Sequence, residues 1–181
     1  MIQKTVEADV LCVGGGIAGL MAAIRARELG AKVVLAEKAN TLRSGSAGTG
    51  CDHFRCYIPE FHGPDMEPVV EEVWHSQVGW TRPREFVRTW MERSFEIVKL
   101  WDSWGIPMKY KGRWEFAGHA IPGRPFTTLK YSGQNLKPTL TQEAQKRGVG
   151  IVNRVMVFDL LRDGGVIGAV GVDTRADQVV T

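Results

Sequence analysis

The sequence of 181 residues predicts an α/β fold, and three features near its beginning support this prediction. Residues 8–13 are apolar and rich in β-branched side chains, which is typical of a short buried strand. Residues 17–29 have the composition of a helix, and Gly30 follows where helices often end. Residues 32–37 form a second apolar strand. Two strands joined by one helix over so short a stretch indicate a parallel pair with a right-handed crossover.

The rest of the chain predicts a helical insertion and a C-terminal β-hairpin. Three more helices are predicted, at residues 65–78, 83–104 and 136–147. Residues 51–64 are expected to be irregular, and residues 107–132 are expected to be a loop with one short hairpin. Strands are predicted at 151–161 and 166–172, because the turn Asp163-Gly164-Gly165 separates two apolar runs.

Composition and charge exclude several classes of protein. Apolar residues make up 44% and charged residues 24%, which is ordinary for a single globular domain or part of one. The net charge is only +3 with both signs interspersed, so a nucleic-acid-binding surface is not expected. No apolar run approaches the roughly 18–20 residues that a membrane span needs. Three cysteines and a polar start with no apolar leader predict a cytoplasmic protein without a disulfide framework.

The turn after the first strand contains the pattern Gly14-x-Gly16-x-x-Gly19. Gly14 allows a sharp turn out of the strand, Gly16 leaves room for a phosphate to approach the backbone, and Gly19 allows close packing of helix and sheet. The N–H groups at the start of the helix, which include that of Ala18, would hold a diphosphate. The alternative is a strand–turn–helix unit that binds no ligand.

The second strand ends in an acidic residue, Glu37, about 20 residues beyond the glycines. A carboxylate at this position accepts hydrogen bonds from both hydroxyls of an adenosine ribose, and it disfavours a 2′-phosphate. The sequence therefore predicts a dinucleotide site that does not take NADP. The alternative is that Glu37 is a solvent-facing residue at the end of a strand.

A second glycine-rich loop, at residues 43–50, favours FAD over NAD as the dinucleotide. FAD is longer, and its diphosphate and flavin ring need additional hydrogen-bond donors that small residues leave accessible. The candidate cofactor-binding residues of this loop are Arg43, Ser44, Gly45, Ser46, Gly48, Thr49 and Gly50. The alternative is a flexible surface loop.

These motifs resemble the flavoprotein subunits of the succinate dehydrogenase and fumarate reductase superfamily. The resemblance lies in residues 14–19, 30–38 and Arg43-Ser44-Gly45. Within the superfamily, Gly112-Arg113-Trp114 and residues 133–138 are most similar to the alpha subunit of adenylylsulfate reductase. The resemblance implies the N-terminal portion of a Rossmann-like FAD-binding domain, and we expect it to belong to a longer polypeptide.

The resemblance also implies roles for particular residues. Lys38 would lie beside the ribose, and the backbone of Val157 would contact the adenine. Succinate dehydrogenases carry a histidine that bonds covalently to the flavin, whereas Gly45 occupies the corresponding position here. We therefore expect FAD to bind non-covalently. The domain is interpreted as a dinucleotide-binding and flavin-loop part at 1–62, a helical part at 63–148 and a strand part at 149–181.

The implied function is that of an FAD-dependent oxidoreductase that passes electrons between a small anionic substrate and an iron–sulfur subunit. Dicarboxylates and adenylylsulfate are both compatible substrates. Arg124, in a loop with His119 and Lys130, is the candidate catalytic cation; the alternative is a solvated loop charge. No metal site is predicted from the cysteines and histidines. The alternative function is a non-catalytic nucleotide-binding or electron-transfer module that lacks its substrate domain.

Overall fold

The computed structural model describes residues 2–117, 121–176 and 178–181, which form two compact units. The first unit contains Met1–Gly50 and Asn135–Thr181, and the second contains Cys51–Gln134. The division predicted from the sequence, with limits at 62 and 148, followed the order of the elements and stays a prediction. The described residues contain no helix long and apolar enough to cross a membrane.

The described residues form ten strands and five helices. Their order along the chain is β1 (Ile2–Lys4), β2 (Val10–Val13), α1 (Ile17–Glu28), β3 (Val33–Glu37), β4 (Cys51–Arg55), α2 (Pro59–His62), α3 (Glu67–Trp74), α4 (Arg84–Ser103), β5 (Glu115–Phe116), β6 (Thr128–Gly133), α5 (Leu136–Lys146), β7 (Gly150–Asn153), β8 (Val155–Arg162), β9 (Val166–Asp173) and β10 (Gln178–Val180).

A parallel sheet in the order β2-β3-β7 forms the centre of the first unit. The predicted strand–helix–strand unit is confirmed, with β2 and β3 parallel and α1 between them in the chain. Helices α1 and α5 contact each other. Leu20, Ala23, Leu35 and Leu140 are fully buried, so apolar side chains from both helices and from β3 make this core.

The second sheet of the first unit has the order β1-β10-β9-β8. Strands β8 and β9 are the predicted C-terminal hairpin. The single strand predicted at 151–161 is wrong, because it is two strands in different sheets. The break is Arg154, which has a left-handed backbone (φ 71°) and donates its N–H to the carbonyl of Ala39 at 3.1 Å. A local pattern of apolar residues does not reveal such a turn.

The second unit contains the helical insertion and a small antiparallel sheet in the order β4-β6-β5. Val70, Val73, Val87 and Met91 are fully buried between α3 and α4, which confirms the two predicted helices, although α3 is shorter than expected. The prediction that residues 51–64 are irregular is wrong, since they contain β4 and α2. Pairing with the distant β6 stabilises β4, although its own residues alternate weakly.

Candidate functional site

The first glycine loop makes a tight connection between β2 and α1. Gly14 has a left-handed backbone (φ 98°), and its N–H donates to the carbonyl of Ala36 at 2.7 Å. A Cβ atom on Gly19 would lie 1.9 Å from the carbonyl oxygen of Gly14. The start of the helix therefore approaches the end of the strand so closely that only glycine can occupy position 19.

Gly16 differs from these two residues because the protein itself does not require a glycine there. Its backbone is extended (φ −67°, ψ −179°), and a Cβ atom would meet no atom within 4 Å. This open space lies at the N-cap of α1, where the first backbone N–H groups have no partner within the helix. Unpaired N–H groups and the positive end of the helix dipole make the space suitable for a diphosphate.

The carboxylate of Glu37 is held against the first glycine loop. The side chain is only 5% exposed, so Glu37 is not a solvent-facing residue. Its Oε2 accepts the N–H of Gly15 at 2.6 Å, and its Oε1 accepts the N–H of Ala39 at 2.8 Å. Burial raises the pKa of Glu37, but the two N–H donors outweigh burial and the net pKa is lowered. Each oxygen of this ionised carboxylate retains lone pairs for ribose hydroxyls.

Lys137 is a site residue that the sequence pattern does not reveal. It lies in α5, is 1% exposed, and donates a hydrogen bond from Nζ to the carbonyl oxygen of Gly15. Its neighbours in the sequence, residues 133–138, indicate only the family resemblance. Lysines are seldom fully buried, and no local pattern signals that this one reaches a loop about 120 residues earlier in the chain.

The second glycine loop is built from hydrogen-bonded turns and contacts the first. Ser44 N–H donates to Asn40 at 2.9 Å, and Gly48 N–H donates to Gly45 at 3.0 Å. A Cβ atom on Gly45 (φ 80°) would lie 3.4 Å from the Cα of Gly16. The loop therefore borders the open space at Gly16.

The remaining cofactor candidates also lie in the first unit. In the second loop, a Cβ atom on Gly48 would lie 2.1 Å from the carbonyl oxygen of Arg43, so this turn requires glycine. Five candidates are exposed: Lys38, Arg43, Gly45, Ser46 and Thr49. Val157 is half-buried in β8, beside a bulge in the pairing with β9. The assignment of these residues to FAD stays a prediction.

The candidate substrate cation lies in the second unit. The Arg124 side chain is 54% exposed, and its guanidinium lies 3.7 Å from the carboxylate of Glu72. Lys130 lies on β6 and is exposed, whereas His119 falls outside the described residues. Binding of substrate by Arg124 stays a prediction.

The cysteines of the second unit show no reactive arrangement. Cys56 is completely buried, and burial raises the pKa of its thiol to about 12, so the thiol stays protonated near neutral pH. Across the described part of the chain, no group of three or more His, Cys, Asp or Glu side chains is arranged to hold a metal ion.

Comparison with known proteins identifies relatives of this chain. Residues 9–180 match the family described as FAD binding domain. The flavoprotein of the fumarate reductase (CoM/CoB) of Methanothermobacter marburgensis is 25% identical over 189 aligned residues, which cover 99% of this chain and 34% of the relative. Adenylylsulfate reductase from the hyperthermophilic Archaeoglobus fulgidus is 28% identical with a TM-score of 0.78, and the match covers 99% of this chain and 29% of that one.

A third protein is similar in fold. The E. coli quinol fumarate reductase has a TM-score of 0.75 at 23% identity, and the match covers 98% of this chain and 31% of that one. The chain thus spans about a third of the length of these relatives. The open space at Gly16, the ordered Glu37 and the second glycine loop are the features that an FAD site needs. The family match over residues 9–180 agrees with this site, and the chain belongs to the FAD binding domain family.

Proposed function

We propose that this chain is the FAD-binding part of a flavoprotein oxidoreductase of the fumarate reductase and adenylylsulfate reductase type. The observation that carries the proposal is the open space at Gly16, bordered by the helix N-terminus and the second glycine loop. A protein that bound no dinucleotide would have no reason to keep a glycine there, since a side chain would meet no neighbour.

The residues of the first unit divide the cofactor between them. N–H groups at the start of α1, from Gly16 to Gly19, hold the diphosphate, and Glu37 holds the adenosine ribose with Lys38 beside it. The backbone of Val157 contacts the adenine. The second loop, residues 43–50, contacts the diphosphate and the flavin side. FAD, when bound, supplies the two-electron redox chemistry.

The cofactor is bound without a covalent bond to the protein. Gly45 has no side chain, so position 45 provides no nucleophile that could attach to the flavin. A larger residue there would be strained, because the backbone has a φ of 80°.

The substrate is a small anion and the electron partner is an iron–sulfur protein. The relatives from Methanothermobacter and Archaeoglobus reduce a dicarboxylate, fumarate, and a sulfate ester of a nucleotide, adenylylsulfate. The remainder of the flavoprotein polypeptide completes the substrate site. The described cysteines, Cys12, Cys51 and Cys56, are all free thiols, so a cytoplasmic location is part of this proposal.

Arg124 is the proposed cation for the anionic substrate. Replacing it in Arg124→Met is expected to raise the KM for the substrate about tenfold, which corresponds to about 1.4 kcal/mol, without changing the flavin spectrum. The matched control is Arg113→Met, which removes another exposed arginine of the second unit. Equal KM values for the two variants would show that Arg124 is a solvated loop charge.

The activity is tested on the complete flavoprotein. The protein is reduced under anaerobic conditions with dithionite, and either fumarate or adenylylsulfate is added while the visible flavin absorbance is recorded. We expect one of them to restore the oxidised spectrum, with two electrons and two protons converting fumarate to succinate or adenylylsulfate to sulfite and AMP. A complete flavoprotein that contains flavin and reacts with neither would instead be the non-catalytic module.

A further inference from the structure

We propose that Lys137 is a positioning residue of the dinucleotide site, which orients the Gly15–Gly16 peptide towards the diphosphate. The inference rests on the proposed function, because it assumes that the site binds FAD. Three groups carry it: the ammonium of Lys137, both backbone groups of Gly15, and the carboxylate of Glu37.

Gly15 lies between a buried cation and a buried anion. Its carbonyl oxygen accepts a hydrogen bond from Lys137 Nζ, and its N–H donates to Glu37 Oε2 at 2.6 Å. Both side chains are almost completely buried, at 1% and 5% exposure. The backbone of this single residue is therefore held from both sides by charge-assisted hydrogen bonds, which are stronger than neutral ones.

The bond to Gly15 fixes the direction of the next N–H group. The Gly15–Gly16 peptide is trans and planar, so the Gly15 carbonyl and the Gly16 N–H point in opposite directions. With the carbonyl anchored on Lys137, the Gly16 N–H points away from Lys137. A cation on the carbonyl also polarises the peptide and makes that N–H a better donor to an anion.

Packing alone does not explain a lysine at this position. Burying an ammonium group carries a large desolvation penalty, and an apolar residue of similar volume is often as stable or more stable. Burial lowers the pKa of Lys137, and the nearby carboxylate of Glu37 only opposes this effect. Lys137 also lies in the first turn of α5, where the helix dipole is unfavourable for a cation. A bound diphosphate accounts for a cation placed here.

The test compares Lys137→Met, which keeps the length of the side chain and removes its charge, with the wild-type protein. The matched control is Lys146→Met, which removes an exposed cation of the same helix. Two quantities are measured on each variant: the Kd for FAD by flavin fluorescence, and the ³¹P resonances of FAD bound at saturation. Lys137→Gln, which keeps an N–H donor without the charge, carries the test if the methionine variant does not fold.

We expect Lys137→Met to raise the Kd for FAD at least tenfold and to shift the ³¹P resonances, with Lys146→Met unchanged in both. A loss of fold alone would reduce the amount of bound FAD but would leave the resonances of the remaining complex in place. Wild-type Kd and resonances in the Lys137 variants would overturn the inference. A wild-type protein that binds no FAD would instead overturn the proposed function, so the two failures are distinguishable.

Discussion

At the scale of single residues, Gly16 and Gly19 have different reasons to be glycine. A side chain at Gly19 would collide with the backbone of Gly14, whereas a side chain at Gly16 would enter empty space. We therefore predict that Gly16→Val abolishes FAD binding, because the new side chain occupies the position of the diphosphate, and that the protein stays folded. Flavin fluorescence measures binding, and circular dichroism with thermal unfolding measures the fold.

Gly19→Val is the matched control for this prediction. It is expected to destabilise the protein by several kcal/mol, since a Cβ atom 1.9 Å from a carbonyl oxygen forces α1 away from the strand. Retained FAD affinity in Gly16→Val would contradict the placement of the diphosphate.

Glu37 is predicted to make the stability of the protein depend on pH. Its pKa in the folded state lies below the ordinary value of 4.5, so the ionised carboxylate stabilises the folded state at pH values above about 4.5. This stabilisation declines as the pH falls through the lowered pKa of the folded protein. We expect Glu37→Gln to lose about 2 kcal/mol near neutral pH, because an amide cannot accept hydrogen bonds from both Gly15 and Ala39.

The corresponding measurement is urea unfolding of the wild type and Glu37→Gln at a series of pH values. The difference in free energy of unfolding is expected to decrease below pH 4.5, since the protonated acid then resembles the amide. A difference that stays constant between neutral and acidic pH would show that Glu37 is not held by the glycine loop as described.

The residues of the first glycine loop were predictable from the sequence, but Lys137 was not. Gly14, Gly16, Gly19 and Glu37 follow one another at fixed spacing within one strand–helix–strand unit, so a local pattern is sufficient to find them. Lys137 reaches the loop only because α5 packs on α1, and that contact depends on the tertiary fold.

At the scale of elements, an arginine connects the two helices of the first unit. Arg147 follows α5, and its Nε donates to Glu28 of α1 at 2.9 Å while its Nη1 donates to Glu143 at 2.6 Å. Arg147→Met is therefore expected to lower the free energy of unfolding by about 1 kcal/mol, with a smaller effect at high salt.

The control for this prediction is Arg25→Met, which removes another partner of Glu28. The Arg25 side chain is 69% exposed and its guanidinium lies 3.2 Å from the same carboxylate, so its removal is expected to have little effect. Chemical unfolding of both variants at low and high salt makes the comparison. Equal losses would show that the connection between α1 and α5 adds nothing beyond a surface ion pair.

The elements themselves were predicted with uneven success, for a physical reason. Helix α4 and the first strand–helix–strand unit carry strong local periodicity and appear where expected. Strand β4 and the break at Arg154 depend on partners far away in the chain, β6 and Ala39 respectively. Propensity is a weak guide where pairing across the fold determines the structure.

At the scale of the whole molecule, all the proposed cofactor residues fall within one compact unit formed by two separate stretches of the chain. Residues Met1–Gly50 provide both glycine loops and Glu37, while Asn135–Thr181 provides Lys137 and Val157. The sequence indicated the ligand but not this division, because segments that are distant in the chain meet only in the folded protein.

Titration of the complete protein with FAD, followed by acid precipitation, tests the proposed flavin site most directly. Flavin fluorescence is expected to show saturable binding of one FAD per chain with a Kd of about 1 µM or tighter, a binding free energy of about −8 kcal/mol. All of the flavin is expected in the acid supernatant, since Gly45 offers no side chain for a covalent bond. The absence of saturable binding would contradict the placement of a dinucleotide at Gly16, and flavin retained in the pellet would contradict non-covalent attachment.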